Sequence, residues 1–546
     1  MAASLRRGEA VAMTSPRPSP DTEHNLAVAV HRHACTHPDA PAVAASGCCL
    51  TYAGLAEQAM RIAAVLRGSP AWQAATACGD TPRVAVLAAR GADACAAILG
   101  AAWAGAAYVP IGPAQPDARI VDVLGQAAPV AVIADHDGAA RLGAEVLAAC
   151  PALVLVPGDA SARRLGAPVR SIASLPAVEA SPPAAVGPDA PAYVIFTSGT
   201  TGSPKGVVIR NAAARHAVRS FARYLGLQAD DRVLESCEPT FDFSVHDLFS
   251  TWEAGGSVHV LPRSRVLDAV RFVRESGVTV WNSVPSLIGL LERVRALAPD
   301  SLPTLRVSVF CGEQLSIPSL QAWRRAAPGS RIHNLYGPTE ATVFCTGLQV
   351  DGPARATPGR DWLSIGRALP GCRVEVLDAE RRPVADGEPG ELAVAGLQLS
   401  DGYLGRPDLT EARFATIDGE RWYLTGDRAM RDADGDLHWL GRIDHLVKIL
   451  GHRVELEEID AHLRAVCGTA LAGSVAWPQA ADGATGAVAF VGRREADPER
   501  IREALRARLP AYMVPTRVIA LDALPLNANG KVDRGALRRM LETGRA

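Results

Sequence analysis

Short apolar runs alternating with helix-forming stretches constrain this chain more than any other feature. RVAVLAA (83–89) has strand character, ADACAAILGAAWAG (92–105) favours helix, and AAYVPI (106–111) returns to strand, with Pro110 expected to end it. PVAVIAD (129–135) supplies a further buried strand, and the pattern recurs from VTVWNSVPSLIGLLERVRAL (278–297) into LRVSVFCG (305–312). Such alternation predicts an α/β fold of layered subdomains with largely parallel sheets. From about Gly390 the texture changes. GELAVAG (390–396), RWYLTGD (421–427) and DLHWLGR (436–442) read as short strands between Gly and Asp turns, a small β-rich subdomain. After Asp444, VELEEIDAHLRAV (454–466), GAVAFVGR (486–493) and RIREALRARLPAYMVP (500–515) read as helix, strand, helix, a compact α+β unit of about a hundred residues.

At 546 residues the chain exceeds what a single core supports, roughly 250–300 residues. We therefore expect a disordered Pro/Ser-containing tail over 1–22, a large domain over 23–442 and a small domain over 443–546, divided at GRIDH (441–445). A formal net charge of −2 gives no reason to expect nucleic acid or a membrane surface as a partner. The 11 cysteines form no C-x-x-C pair, the pattern of reduced thiols in a cytoplasmic protein. The N-terminus lacks the sustained apolar stretch of a signal peptide, and Arg90 and Asp93 interrupt the most apolar segment, so no membrane span is expected.

YVIFTSGTTGSPKGVVIR (193–210) sets a Ser/Thr/Gly loop between two apolar runs. A Walker loop needs its lysine directly after a glycine and before a hydroxyl residue, but Lys205 follows Pro204 and precedes Gly206, so the spacing excludes it. Phosphate chemistry still suits the loop. Gly199 and Gly202 permit close approach of backbone N–H groups, Ser198, Thr200 and Thr201 offer hydroxyls, and Lys205 adds a mobile charge. By composition alone, a Ser/Gly-rich hairpin turn fits equally well.

The ordered string T-S-G-T-T-G-x-P-K-G is more specific than its composition. It resembles the phosphate loop of the adenylate-forming superfamily, which includes acyl-CoA synthetases, luciferases and the amino-acid adenylation domains of nonribosomal peptide synthesis. LTYAGLAEQA (50–59), AGAAYVPIGPAQPDAR (104–119, with Gly112 where aspartate is usual), NLYGPTEAT (334–342), GELAVAG, YLTGDRA (423–429), GRIDHLVKILGHRVELEEI (441–459) and NANGKVDR (527–534) match further motifs in order. The resemblance runs from Thr51 to Asp533 and implies the adenylate-forming fold with a small, mobile C-terminal domain. It also implies the reaction: a carboxylate attacks the α-phosphate of ATP, pyrophosphate leaves, and a thiol then displaces AMP to give a thioester.

By the same resemblance Thr197, Ser198, Gly199, Thr200, Thr201, Gly202 and Lys205 cradle the β- and γ-phosphates. Thr339 contacts the α-phosphate and Glu340 binds Mg²⁺. Tyr336 stacks on adenine, Asn334 bonds its amino group, Gly312, Glu313 and Gly337 complete the nucleotide site, and Asp427 with Arg442 takes the ribose hydroxyls. Lys531 reaches the substrate carboxylate and the α-phosphate, where its charge offsets the repulsion between two anions. It belongs to the small domain, which closes for adenylation and then swings about a hinge at Asp444 to offer KILGHR (448–453) to the thiol. Leu446 and Leu450 stand where the family often has Gln and Arg.

Asp242, in FDFSVHDLF (241–249), occupies the position that pairs with the substrate ammonium in amino-acid-activating members; otherwise it caps the following helix. The other pocket positions fall on Phe243, His246, Asn282, Val309, Cys311, Leu335, Val343 and Phe344. The two phenylalanines imply a small cavity, and Asn282 and His246 are placed to bond a side-chain hydroxyl, as in threonine-type pockets. VWNSVPSL, VFCGEQL and YGPTEATV also resemble D-alanine–carrier protein ligases, in which a cysteine at the Cys311 position crowds the substrate Cα. Ala, Ser, Thr and D-Ala remain open. No phosphopantetheine attachment motif appears, so the expected acceptor is a carrier protein in trans. An acyl-CoA synthetase, or a silent nucleotide-binding scaffold, is the alternative; the scaffold would have lost Lys531, Glu340 or the glycine loop.

Overall fold

The computed structural model describes residues 23–165, 169–199, 202–444, 446–469, 471–480, 483–492, 497–526 and 532–544. The tail over 1–22, Thr200, Thr201 and Lys531 lie outside the described residues.

The alternating segments build two large sheets. One runs Gly402–Tyr403, Lys205–Arg210, Pro191–Thr197, Ala107–Ile111, Arg83–Leu87, Ala131–Ala134, Val154–Val156 and Val169–Ser171 from edge to edge. Its last six strands are parallel, while the glycine-loop hairpin adds antiparallel pairs at the other end. The second places the parallel strands Arg331–Tyr336, Val307–Phe310, Val280–Ser283, Arg232–Glu235, Ser257–Val260 and Pro41–Ala45 side by side, with antiparallel strands at both edges.

Helix Ala92–Ala104 shares one apolar core with strands of both sheets and buries almost its whole length, as a helix apolar all round must. Gly100 lets it approach helix Tyr52–Arg67, since a Cβ there would lie 2.7 Å from Ile62 Cγ2. Thr51 caps that second helix by accepting from Gly54 N at 3.2 Å.

Pro110 does not end its strand; it pairs in register with Val86 inside Ala107–Ile111. Ala107 N donates to Pro82 O and Ile111 O accepts from Ala88 N, so the odd-numbered residues bond to Arg83–Leu87. The proline therefore turns its missing donor toward Pro191–Thr197, with which only Tyr108 is in register.

The β-rich subdomain begins earlier than the turn pattern suggests. Cys372–Leu377, whose buried and less buried residues alternate as far as Val376, joins Gly390–Gly396, Glu420–Arg431, Phe414–Ile417 and Leu437–Arg442 in an antiparallel sheet. Beyond it, hairpin Leu446–Ile449/His452–Glu455 leads into helix Leu456–Cys467, and strands Ala472–Ala476, Ala487–Val491 and Arg517–Ala520 carry a separate small core. All eleven cysteines are free thiols. Among the described residues no helix is long and apolar enough to cross a membrane.

Candidate functional site

A cavity of about 520 Å³ opens where the second sheet, the β-rich sheet and the small unit meet. Parallel strands deliver its residues at their C-terminal ends: Cys311 and Gly312 follow Val307–Phe310, and Asn334, Leu335 and Tyr336 finish Arg331–Tyr336. The residues along one wall are tightly held. Tyr336 OH donates to Asp427 Oδ2 at 2.5 Å, Trp439 Nε1 donates to Asp427 Oδ1 at 2.8 Å, and Arg442 pairs with Asp427 at 3.0 Å. Asn334 Nδ2 donates to Ser364 O at 2.8 Å, and Glu313 accepts from Ser286 N at 2.8 Å. Arg442 also grips Asp444 with both arms, at 2.8 and 2.6 Å, and Arg413 adds a third contact at 3.0 Å.

Asp242 lies at the opposite wall, buried, before the short helix Phe243–Val245. Its side chain makes no capping bond to that helix, so the capping alternative fails. Burial pushes its carboxyl up to about 6, against a hydrogen bond from Thr339 and the charge of Lys448. Among the described residues it has no salt-bridge partner. If the ionised carboxylate binds substrate, kcat/KM for the amino acid falls about tenfold per pH unit below about pH 6 and levels off above it. Initial rates from pH 5 to 8 check this, and an unshifted profile in Asp242→Asn contradicts it.

Beyond Asp242 the cavity ends on aromatic rings. Phe243 and Phe344 meet edge to face at 5.3 Å, with Cys311, Leu335 and Val343 around them. Burial raises the Cys311 thiol to about 12, keeping it neutral. His246, Asn282 and Val309 do not line this cavity. His246 packs behind the wall against Phe243 at 5.9 Å, Phe344 at 5.3 Å and Phe221 at 5.9 Å, and burial drives its pKa down to about 3. Asn282 Nδ2 turns to Asp247 Oδ1 at 2.8 Å, and Val309 is sealed in the sheet core.

The wall is built under strain. Thr342 (φ 53°) and Val343 (φ 71°) adopt left-handed backbone that β-branched residues rarely accept. Gln398 holds it, accepting from Thr342 Oγ1 at 2.6 Å and donating to Phe344 O at 2.7 Å. Gly337 allows the close pass, since a Cβ there would stand 2.3 Å from Val343 O. Gly337→Ala therefore costs about 1–3 kcal/mol of stability and raises KM for the amino acid. A thermal melt and substrate titration showing neither effect would contradict this.

The glycine loop and Glu340 lie beside the cavity and are occupied by the small unit. Glu340, on the turn Thr339–Ala341, accepts from Tyr403 OH and from Arg453 NH1, each at 2.6 Å. Burial alone would raise its carboxyl, but the charges of Arg453 and Lys205 with these hydrogen bonds outweigh it and hold the group well below the usual carboxylate range. Lys205 Nζ sits 3.4 Å from Glu455 Oε1; burial, then Arg453, lowers its pKa. Thr197 Oγ1 reaches Lys205 O at 3.5 Å, Ser198 Oγ donates to Arg453 O at 2.9 Å, and Gly199 N donates to Glu458 at 3.0 Å. Gly202 (φ 89°) faces Ala461. Lys448, Arg453, Trp439 and Gln398 were not singled out from sequence; the first two sit in a matched motif, while nothing local marks the others.

A cavity at the C-terminal ends of the second sheet's parallel strands, beside a glycine hairpin, is the arrangement of an adenylate-forming enzyme. The chain belongs to the AMP-binding enzyme family, whose profile matches residues 30–404, with the AMP-binding enzyme C-terminal domain matching 458–531. It is 34% identical to Novobiocin biosynthesis protein H of Streptomyces niveus over 531 residues, covering 95% of this chain and 83% of that one. It is 35% identical to phenyloxazoline synthase MbtB of a Mycobacterium species over 97% of this chain and 43% of that protein. The chain spans less than half the length of the first curated relatives it matches. The adenylation domain AlmE of Vibrio cholerae, solved with glycyl-adenosine-5′-phosphate, superposes with a TM-score of 0.84 at 28% identity, over 97% of this chain and 99% of that one.

Proposed function

We propose that this protein activates a small amino acid with ATP as an aminoacyl-AMP and passes it to the phosphopantetheine thiol of a carrier protein. The observation that carries this reading is Asp242, a buried carboxylate facing a largely apolar cavity with no ion-pair partner among the described residues. A substrate ammonium supplies the missing charge. The glycyl-adenylate seen in AlmE is consistent with such a substrate. Because Phe243 and Phe344 close the cavity in front of His246, and Asn282 is turned to Asp247, the side chain is of alanine or serine size, and the threonine reading loses its hydroxyl partners. Cys311 keeps D-alanine, and with it a D-alanine–carrier protein ligase, as the second reading.

In this scheme Asn334, Tyr336, Gly337, Gly312 and Glu313 hold adenine, and Asp427 with Arg442 the ribose. The loop from Thr197 to Lys205, with Thr200 and Thr201, binds the β- and γ-phosphates, and Thr339 the α-phosphate. Glu340 fits a magnesium ion: it is buried, ionised, and its outer oxygen already faces a cation in Arg453. The metal would neutralise phosphate charge there. Lys531 offsets repulsion between carboxylate and α-phosphate as the first bond forms. We place the domain division at 442/443, with Asp444 as the hinge.

The test is amino-acid-dependent exchange of labelled pyrophosphate into ATP, across L- and D-amino acids and acids without an amino group. Strong exchange with alanine, glycine or serine and weak exchange with bulky residues is expected. Exchange confined to acids lacking an amino group would overturn the reading in favour of an acyl-CoA synthetase.

A further inference from the structure

One side chain touches both groups read above as the metal and phosphate ligands. Tyr403 donates its hydroxyl to Glu340 Oε1 at 2.6 Å, and the Lys205 amine stands over the face of the same ring, 5.0 Å from its centroid. All three residues are buried. Backbone contacts fix the ring in place. The two-residue strand Gly402–Tyr403 pairs with Lys205–Arg210, the strand that begins at the lysine. Tyr403 lies opposite Val207, and Leu404 N donates to Gly206 O at 2.8 Å. Ser400 N donates to Glu340 O at 2.9 Å, and Tyr403 N donates to Thr410 Oγ1 at 3.0 Å. Gly402 (φ 121°) permits the approach of Thr410, since a Cβ there would lie 2.4 Å from Thr410 Cγ2. One short segment therefore ties the metal carboxylate and the phosphate lysine to each other.

We propose that Tyr403 is a positioning residue that makes Glu340 a one-oxygen ligand and so favours magnesium over larger divalent cations. The inference rests on the metal-site and phosphate-site reading and goes beyond it. Glu340 is held ionised, so the phenol is the donor, and its hydrogen bond commits Oε1. Oε2 is the oxygen offered to a cation; in this structure the Arg453 guanidinium stands on it at 2.6 Å. Magnesium demands near-ideal octahedral geometry and fills its shell with water and phosphate oxygens around one or two carboxylates, whereas calcium takes a larger, looser shell and readily accepts a carboxylate through both oxygens. A glutamate with one oxygen tied back suits the first ion and leaves the second short of a ligand. The ring face has a separate effect. It attracts the Lys205 ammonium without using any of its three N–H donors, which stay free for oxygen ligands.

Calorimetric binding of ATP to the full chain, with magnesium, with calcium and with chelator, tests this in the wild type and in Tyr403→Phe. The wild type is expected to bind ATP more tightly with magnesium than with calcium. Tyr403→Phe keeps the ring and loses only the hydroxyl. Its affinity for ATP with magnesium is expected to fall about tenfold or more, the scale for deleting a hydrogen bond to a metal ligand, while the calcium value falls less and the chelator value holds. Tyr403→Leu, which also removes the ring, is expected to weaken ATP binding with chelator about two- to fivefold. Thr410→Val removes the acceptor for Tyr403 N from outside the site and is expected to narrow the magnesium-to-calcium ratio in the same direction by a smaller factor. Arg453 is present throughout, so comparing one cation with another isolates the hydroxyl. An unchanged ratio in folded Tyr403→Phe overturns the inference, whether both affinities stay or both fall together, and so does a wild type that prefers calcium. If Tyr403→Phe does not fold, an unchanged ratio in Thr410→Val overturns it instead. A wild type that binds ATP under none of the three conditions overturns the functional reading beneath it.

Discussion

Asp242→Asn lowers kcat/KM for the amino acid in ATP–pyrophosphate exchange by about 10²–10³, while the protein stays folded. The size follows from what the substitution removes. An ammonium brought into a largely apolar cavity gives up its water, and truncating one partner of a buried charge pair costs about 3–5 kcal/mol, the lower part of which, about 3–4 kcal/mol, is about 10²–10³ in an equilibrium or rate ratio. Stability is expected to move the other way. The carboxyl is raised to about 6 in the fold, so its ionised form is disfavoured there, and its contribution declines as pH rises from the ordinary carboxylate range through about 6. At pH 7 the uncharged amide therefore melts no lower than the wild type. Steady-state exchange beside a thermal melt decides the matter, and activity within tenfold of wild type would sink the ammonium assignment.

Lys531→Ala is expected to slow aminoacyl-AMP formation by about 10²–10³, the scale for deleting one preorganised charge aimed at a transition state. Transfer from preformed aminoacyl-AMP to a carrier thiol should change only severalfold, because in the arrangement seen here Lys448 lines the cavity and its charge acts on Asp242. The two half-reactions are measured separately, by pyrophosphate exchange and by thioester formation. Equal slowing of both would make Lys531 a structural residue.

Much of this was legible in the chain. The glycine loop reads as a hairpin and is one, Pro191–Thr197 against Lys205–Arg210, because two β-branched-rich runs flank residues that tolerate tight turns. The layered α/β plan follows from strand and helix periods that differ. Where pattern reading failed, a distant contact decided. Pro110 sits inside a strand because its bare nitrogen faces a neighbour some eighty residues on that has already diverged. His246 and Asn282 carry hydrogen-bonding groups that suggest substrate contact, yet Phe243 and Phe344 close in front of His246 and Asn282 is taken up by Asp247.

The order of motifs and the glycine loop determined by themselves the family, since ordered local strings need no tertiary context to be recognised. The size of the cavity, the strained wall from Thr342 to Phe344 and the pairing of Glu340, Lys205 and Gly199 with Arg453, Glu455 and Glu458 were decided only by the tertiary structure. Those contacts join residues more than a hundred positions apart, and which charge meets which depends on how two separately packed units dock, a relation that no local spacing encodes.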